Sequence, residues 1–199
     1  MKKEAGIAFY DFDGTITQRD TMLELARFKV GSAGYYLKLA TLVPHFVLFK
    51  SKLISNTRFK EQFLQVFFGG MPLAELQELA NRFCATRLDA MIRPKALANI
   101  QQQLADNISV VVVTASSSYW VEPWCRKYGL GLLATQLEVQ NGVLTGKLVG
   151  NNCHGAEKVA RIKAAFDLSN YAQVYCYGDT PGDRPMLALA SSAHYRPFE

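Results

Sequence analysis

Cysteine is sparse and shows no pairing pattern. Cys84, Cys125, Cys153 and Cys176 are scattered, with no Cys-x-x-Cys among them, so neither a disulfide framework nor a thiolate metal site is indicated. They read as reduced thiols. A basic low-complexity arm and zinc-finger spacing are both missing, which argues against nucleic acid as the partner. No internal repeat is present, and that excludes a solenoid or array. The most apolar stretch, residues 35–54, is interrupted by Lys38, Pro44, His45, Lys50 and Lys52. A spanning helix needs roughly 20 mostly apolar residues, so the stretch reads as a buried or surface-seeking helix pair bent near Pro44. Met1-Lys2-Lys3-Glu4 leads straight into the first apolar run. That leaves no room for a signal peptide and sets the expectation of a cytoplasmic protein.

What is present is a globular composition. The chain has 199 residues, 49% hydrophobic and 20% charged, enough for one domain or one domain with a sizeable insertion. Its formal net charge of +5 suits an anionic partner without choosing among phosphate esters, nucleic acid and acidic lipid.

The chain pivots on Phe9-Tyr10-Asp11-Phe12-Asp13-Gly14-Thr15. The run Ile7 to Tyr10 reads as a buried strand, and Gly14 is the first residue able to break it. Two carboxylates one residue apart at the carboxyl end of a strand sit where open α/β sheets bind ligands. Two like charges held together without a cation would raise one pKa and cost stability, so a cation is the natural relief; oxygen-only ligands favour magnesium over zinc.

Residues from about 17 to about 90 look all-helical. Leu23, Leu25, Ala26 and Phe28 give one helix face, which Gly31 and Gly34 stop. Phe59, Phe63, Val66 and Phe67 give another, and Leu73, Leu76, Ala80 and Phe83 a third that starts at Pro72. Beyond it the β-branched run Ile108 to Val113 reads as a buried strand. Ala115 to Ser118 reads as a polar loop and Val121 to Tyr128 as a helix stopped by Gly129. Leu132 to Ala134 is a short strand candidate. Asn141-Gly142 is a hairpin signal between Leu137–Gln140 and Val143–Val149. A helix with Val159, Ile162 and Phe166, a strand Val174–Tyr177, a helix with Met186, Leu187 and Leu189, and an edge strand Ala193–Tyr195 complete the chain. Strands alternating with helices imply an α/β fold with a doubly wound parallel sheet, residues 1–16 and 91–199. Residues 17–90 are a helical insertion able to cover the Asp-x-Asp loop.

Four signals fall just beyond strands or at helix starts: Asp11-x-Asp13, Thr114, Lys158 in Gly155-Ala156-Glu157-Lys158, and Gly178-Asp179-Thr180-Pro181-Gly182-Asp183. Gathered at one sheet edge they supply a nucleophile, a hydroxyl, a cation and further acids, the requirements of displacement at phosphorus. Each has a plainer reading: Lys158 as an exposed lysine, Thr114 as a helix cap, Asp179-Thr180-Pro181 as a cap followed by Pro. His45, His154 and His194 read as structural or solvated.

In this order the four segments resemble the motifs of the haloacid dehalogenase superfamily of phosphohydrolases. An insertion after the first motif is similar to the subfamily that includes phosphoserine phosphatase. The resemblance implies a Rossmann-like core and an Mg²⁺-dependent phosphatase. It implies that Asp11 attacks phosphorus to form an aspartyl-phosphate, and that Asp13 serves first as general acid and then as general base. Members that cleave carbon–halogen bonds lack the second Asp. Thr114, with the backbone N–H groups of Ala115 and Ser116, would bind the phosphoryl oxygens. Lys158 would hold Asp11 and the phosphoryl group together. Asp179, the Asp11 carboxylate and the Asp13 carbonyl would bind the metal, with Asp183 joining or supporting them.

The insertion should choose the leaving group. Asp20 sits where similar phosphoserine phosphatases carry an acidic residue that meets the substrate amine, and it also suits a helix N-terminus. A match for the arginine that would pair with the serine carboxylate is lacking, Arg58 being a loose candidate. The insertion is instead aromatic and basic: Arg27, Lys29, Lys38, Lys50, Lys52, Arg58 and Lys60 stand against Glu24 and Glu61. This suits either an internally packed cap or a segment meeting anionic lipid. A lipid phosphate, as in the similar phosphatidylglycerophosphate phosphatases, joins small phosphate esters as a candidate substrate. A phosphotransferase, a phosphoryl-accepting module without turnover and a membrane-binding protein are the rival classes. Asp13 speaks against the module, which needs no general acid.

Overall fold

The computed structural model describes residues 5–199; Met1–Glu4, on which the signal-peptide reading rests, lie outside the described residues. The apolar run after them forms β1 (Gly6–Tyr10), every residue of which is buried. A strand buried on both faces belongs in the middle of a sheet. Its parallel neighbours are β2 (Ile108–Ser117) and β5 (Val174–Gly178), with Phe9 opposite Val111 on one side and Cys176 on the other. β3 (Gly131–Gln140) lies beyond β2 and β6 (Ser192–Tyr195) beyond β5, both parallel to their neighbours. β4 (Val143–Val149) closes the outer edge antiparallel to β3, giving the order β4-β3-β2-β1-β5-β6.

Alternation along the strands divides the core in two. Ile7, Phe9, Val111, Val113 and Cys176 face α7 (Ala156–Ala165) and α8 (Arg184–Leu187), meeting Ile162 and Met186. Ala8, Tyr10, Val110 and Val112 face α5 (Pro94–Ala105) and α6 (Ser118–Lys127), meeting Ile100, Trp120 and Trp124. Helices on both faces make the sheet doubly wound, as the alternation of strand and helix signals implies.

Between β1 and α5 lie α1 (Thr21–Thr41), α2 (Val43–Lys50), α3 (Asn56–Phe68) and α4 (Leu73–Phe83), followed by a π turn (Cys84–Leu88) and a 3-10 turn (Asp89–Met91). Gly31, at φ 72° and ψ 169°, breaks α1 into two runs. Gly34 does not stop the helix, which resumes directly after Gly31. Pro44 stands in the first turn of α2, where its missing N–H costs nothing, so the chain starts a new helix there instead of bending an old one.

Two segments differ from the sequence expectation. Ala115 to Ser117 continue β2, with a register shift against β3 between Thr114 and Ser117. The bulge leaves Ala115 and Ser116 out of the ladder and returns Ser117 to it opposite Thr135. Leu132–Ala134 and Leu137–Gln140 are one strand, whose first half pairs with β2 and whose second half pairs with β4. The Asn141-Gly142 hairpin forms with both residues at positive φ, 51° and 78°, and it extends the main sheet. Its far strand anchors the helical block: Gly70 N donates to Leu144 O, Leu144 N to Met71 O and Leu73 N to Gly142 O, each at 2.9 Å. Among the described residues no helix is long and apolar enough to cross a membrane.

Candidate active site

Asp11 is the first residue past β1, the strand from which the sheet order runs in both directions, and its N–H donates to Tyr177 O at 2.9 Å. Crevices at such switch points are where open α/β sheets bind ligands. The Asp11 side chain is buried. Lys158, in the first turn of α7 and 1% exposed, donates to Asp11 Oδ1 at 2.5 Å and to Asp183 Oδ1 at 2.7 Å. Asp183 Oδ2 accepts from Thr180 N at 2.9 Å and from Thr180 Oγ1 at 2.7 Å. On the other side Thr15 Oγ1 donates to Asp179 Oδ1 at 2.9 Å. Gly14, at φ 91°, makes this approach possible: a Cβ there would stand 2.4 Å from Asp179 Oδ2. The structure thus brings Asp11, Lys158, Asp179 and Asp183 together from three separate segments. One carboxylate oxygen each from Asp11, Asp179 and Asp183 lie within 4.8 Å of one another.

Asp13 is held apart from this cluster by donors of its own. Its Oδ1 accepts from Thr21 N at 2.7 Å, at the start of α1, and its Oδ2 from Ser116 Oγ at 2.6 Å. Trp120 Nε1 donates to Thr21 Oγ1 at 3.2 Å, which fixes the helix start that holds Asp13. Thr114 is fully buried, and its Oγ1 accepts from Ser116 N at 2.9 Å. Ser116 therefore spends its N–H on Thr114 and its hydroxyl on Asp13, which makes it a support for the acid.

Asp11, Asp13, Thr114, Ser116, Lys158 and Asp183 line a pocket of about 480 Å³, whose far wall comes from the helical block: Asp20, which caps α1, Met22 and Leu23 of α1, and Phe59, Lys60 and Phe63 of α3. Lys60 is buried, and its Nζ donates to Ala115 O and, at 2.9 Å, to Asn152 Oδ1. In the sequence Lys60 stands out only as one of the basic residues of the insertion. The available signal was its position, three and four residues before the buried Phe63 and Leu64, where a lysine must find partners. Arg58 instead is exposed and lies 3.7 Å from Glu61. Asn152 and His154 also line the pocket. A larger hollow, of about 670 Å³ between α1 and the turns after α4, contains none of the four motif acids.

Burial pushes the Asp11 carboxyl up to about 7 against the pull of Lys158, with Asp183 and Asp13 adding to the rise. Asp179 is raised mainly by burial. Burial also works against Asp183, but Lys158 and the Thr180 donors hold it below the usual carboxylate range. Lys158 pays heavily in desolvation, yet the two carboxylates keep it protonated well above its ordinary range. Crowding by protein raises Asp20 to about 6, helped by the Asp13 charge. Burial lowers Lys60 to about 8, against the pull of Asp13 and Asp20. One buried ammonium facing three clustered acids leaves negative charge uncompensated. All of these donors are carboxylate oxygens, so the cluster fits a hard divalent cation.

The sequence profile of haloacid dehalogenase-like hydrolases matches residues 8–188. The chain belongs to this family. This hydrolase is 31% identical over 202 residues to the protein CicA of Caulobacter vibrioides, covering 100% of this chain and 89% of that one. It is 25% identical over 194 residues to phosphoserine phosphatase SerB1 of Mycobacterium tuberculosis, covering 94% of this chain and 63% of that one. Among solved structures, a protein of unknown function from Bordetella pertussis Tohama I superposes with a TM-score of 0.81 at 22% identity, covering 94% of this chain and 88% of that one. A phospho-aspartyl intermediate analogue of phosphoserine phosphatase superposes with a TM-score of 0.60 at 20% identity, covering 94% and 84%. The two structures share its fold.

Proposed function

We propose that this hydrolase is an Mg²⁺-dependent phosphomonoesterase working through an aspartyl-phosphate on Asp11. The observation that carries the reading is the division of labour between two acids: Asp11 is buried against Lys158, whereas Asp13 is held by Thr21 N and Ser116 Oγ at the pocket wall. Asp11 attacks phosphorus as the ester P–O bond breaks, and Asp13 gives its proton to the departing oxygen. Asp13 then takes a proton from water, whose oxygen attacks the same phosphorus. The acyl phosphate bond breaks, phosphate leaves and the Asp11 carboxylate is restored. Lys158 keeps Asp11 in place and neutralises charge in both steps; Asp183, itself held by Thr180, holds Lys158. Thr114 and the Ala115 N–H bind the phosphoryl oxygens. Asp11, Asp179 and the Asp13 carbonyl would hold Mg²⁺, with Asp183 beside them, and the ion would supply further charge neutralisation at the transferring phosphoryl group.

Residues 17–90 act as the cap that selects the leaving group. The cap-side wall favours a partly apolar leaving group, a small phosphate ester or a lipid phosphate, over free phosphoserine. Met22, Leu23, Phe59 and Phe63 line it, while Arg58 is turned away and Lys60 already serves Ala115 and Asn152. Asp20 remains the acid that a substrate amine would meet. The testing experiment is turnover of a panel of phosphorylated metabolites and lipid phosphates with magnesium, phosphate release being scored against transfer to an added alcohol. Phosphate release from at least one class supports the reading, and no release from any member contradicts it.

A further inference from the structure

Residues 25–60 contain seven lysines or arginines and no aspartate or glutamate. Within this stretch α2 is anomalous. It reads Val-Pro-His-Phe-Val-Leu-Phe-Lys, apolar on nearly every side, yet none of its residues is buried. A helix apolar all round is normally enclosed by protein or lipid. Of the ten large apolar side chains exposed among the described residues, seven fall between Tyr36 and Leu53, with Leu37 74% and Leu53 72% exposed. Clustering on this scale marks an interaction surface. Not every cation here is available: Lys29 and Lys38 turn inward and donate at 2.8 Å to Phe67 O and Val66 O at the end of α3. Lys50 and Lys52 remain exposed at the end of α2.

We propose that residues 36–53 are a docking surface that seats this protein on a bilayer with anionic headgroups. Apolar side chains of α2 and its flanks enter the headgroup boundary, and Lys50 and Lys52 meet the lipid anions. Charge selects this occupant. A second copy pairing through the same face would bring like charge against like, with no acid on either side to relieve it. A helix apolar all round also suits an apolar slab better than a one-sided protein groove. The face is joined to the pocket: Phe59, a pocket-wall residue, stacks on Phe49 at 5.2 Å and lies 5.9 Å from Phe46. Docking therefore brings the pocket mouth to the lipid surface. The docking itself does not depend on the phosphomonoesterase reading.

The test is co-sedimentation of the full chain with vesicles of phosphatidylcholine alone or mixed with phosphatidylglycerol. Two variants are compared, Leu37→Ser/Val47→Ser/Leu53→Ser and Lys50→Glu/Lys52→Glu. The control Lys95→Glu/Lys163→Glu makes the same charge change at exposed positions elsewhere. A cooperative thermal transition in each variant reports its fold without recourse to activity. Wild type is expected to bind the mixed vesicles preferentially. Each face variant should lose at least about tenfold in partitioning, and the control far less. Wild type staying in the supernatant, or face variants sedimenting like wild type, overturns the proposal. So does a wild-type dimer at sedimentation equilibrium that the face variants dissociate, because the face would then belong to a second copy.

Discussion

Asp11 and Asp13 are two positions apart in the chain, but their surroundings give them different chemistry. Asp11 is buried against an ammonium, so Asp11→Asn should remove the nucleophile and lower turnover by at least about a thousandfold with the fold retained; initial rates and circular dichroism check both halves. Lys60 gives a pH signature. Burial lowers it to about 8, so it is cationic below that pH and neutral above it. If its charge helps to hold the anionic ester, kcat/KM falls on the alkaline side with an apparent pKa near 8. Lys60→Arg, cationic throughout, should move that limb upward, and an unchanged profile would remove Lys60 from substrate binding. The meeting of Asp11, Lys158, Asp179 and Asp183 at one sheet edge was legible because each stands just past a strand run or in the first turn of a helix. Lys60, Asn152 and Thr21 were not, because their roles depend on which loop faces which helix across the pocket. That is a tertiary fact without a local signature.

At the scale of elements, the helical block is tied to the sheet. The loop between α3 and α4 hydrogen-bonds along β4, and Gly146 of β4, at φ 80°, lets the strand pass so close that a Cβ would stand 2.6 Å from Gln65 Cα. Gly146→Ala should therefore force strand and helix apart and destabilise the protein by about 1–3 kcal/mol, read as a lower thermal midpoint; an unchanged midpoint would show that the contact yields freely. Strand positions and the hairpin turn were legible from β-branched runs and from Asn141-Gly142. The continuity of β2 through Ser117 was not, since Ala-Ser-Ser-Ser has a loop's composition and only pairing with β3 makes it a strand. Nor was the single strand from Gly131 to Gln140, which reads as two pieces because its halves pair with different partners.

Across the whole molecule, residues far apart in sequence meet at one sheet edge, and the acids outnumber the ammonium facing them. A divalent cation bound there should stabilise the native state by mass action, by about 2.7 kcal/mol at a hundred times its Kd. Magnesium should raise the thermal midpoint of wild type and leave that of Asp179→Asn nearly unmoved, while chelation stops turnover without unfolding. Equal shifts in both proteins would place the ion elsewhere. Intact and peptide mass spectrometry of Asp13→Asn, acid-quenched after mixing with magnesium and a turned-over phosphate ester, reads the nucleophile itself. One phosphoryl group is expected, on the peptide carrying Asp11 and absent when Asp11→Asn is added. A phosphoryl group on any other residue, or undiminished turnover in the double variant, would contradict it.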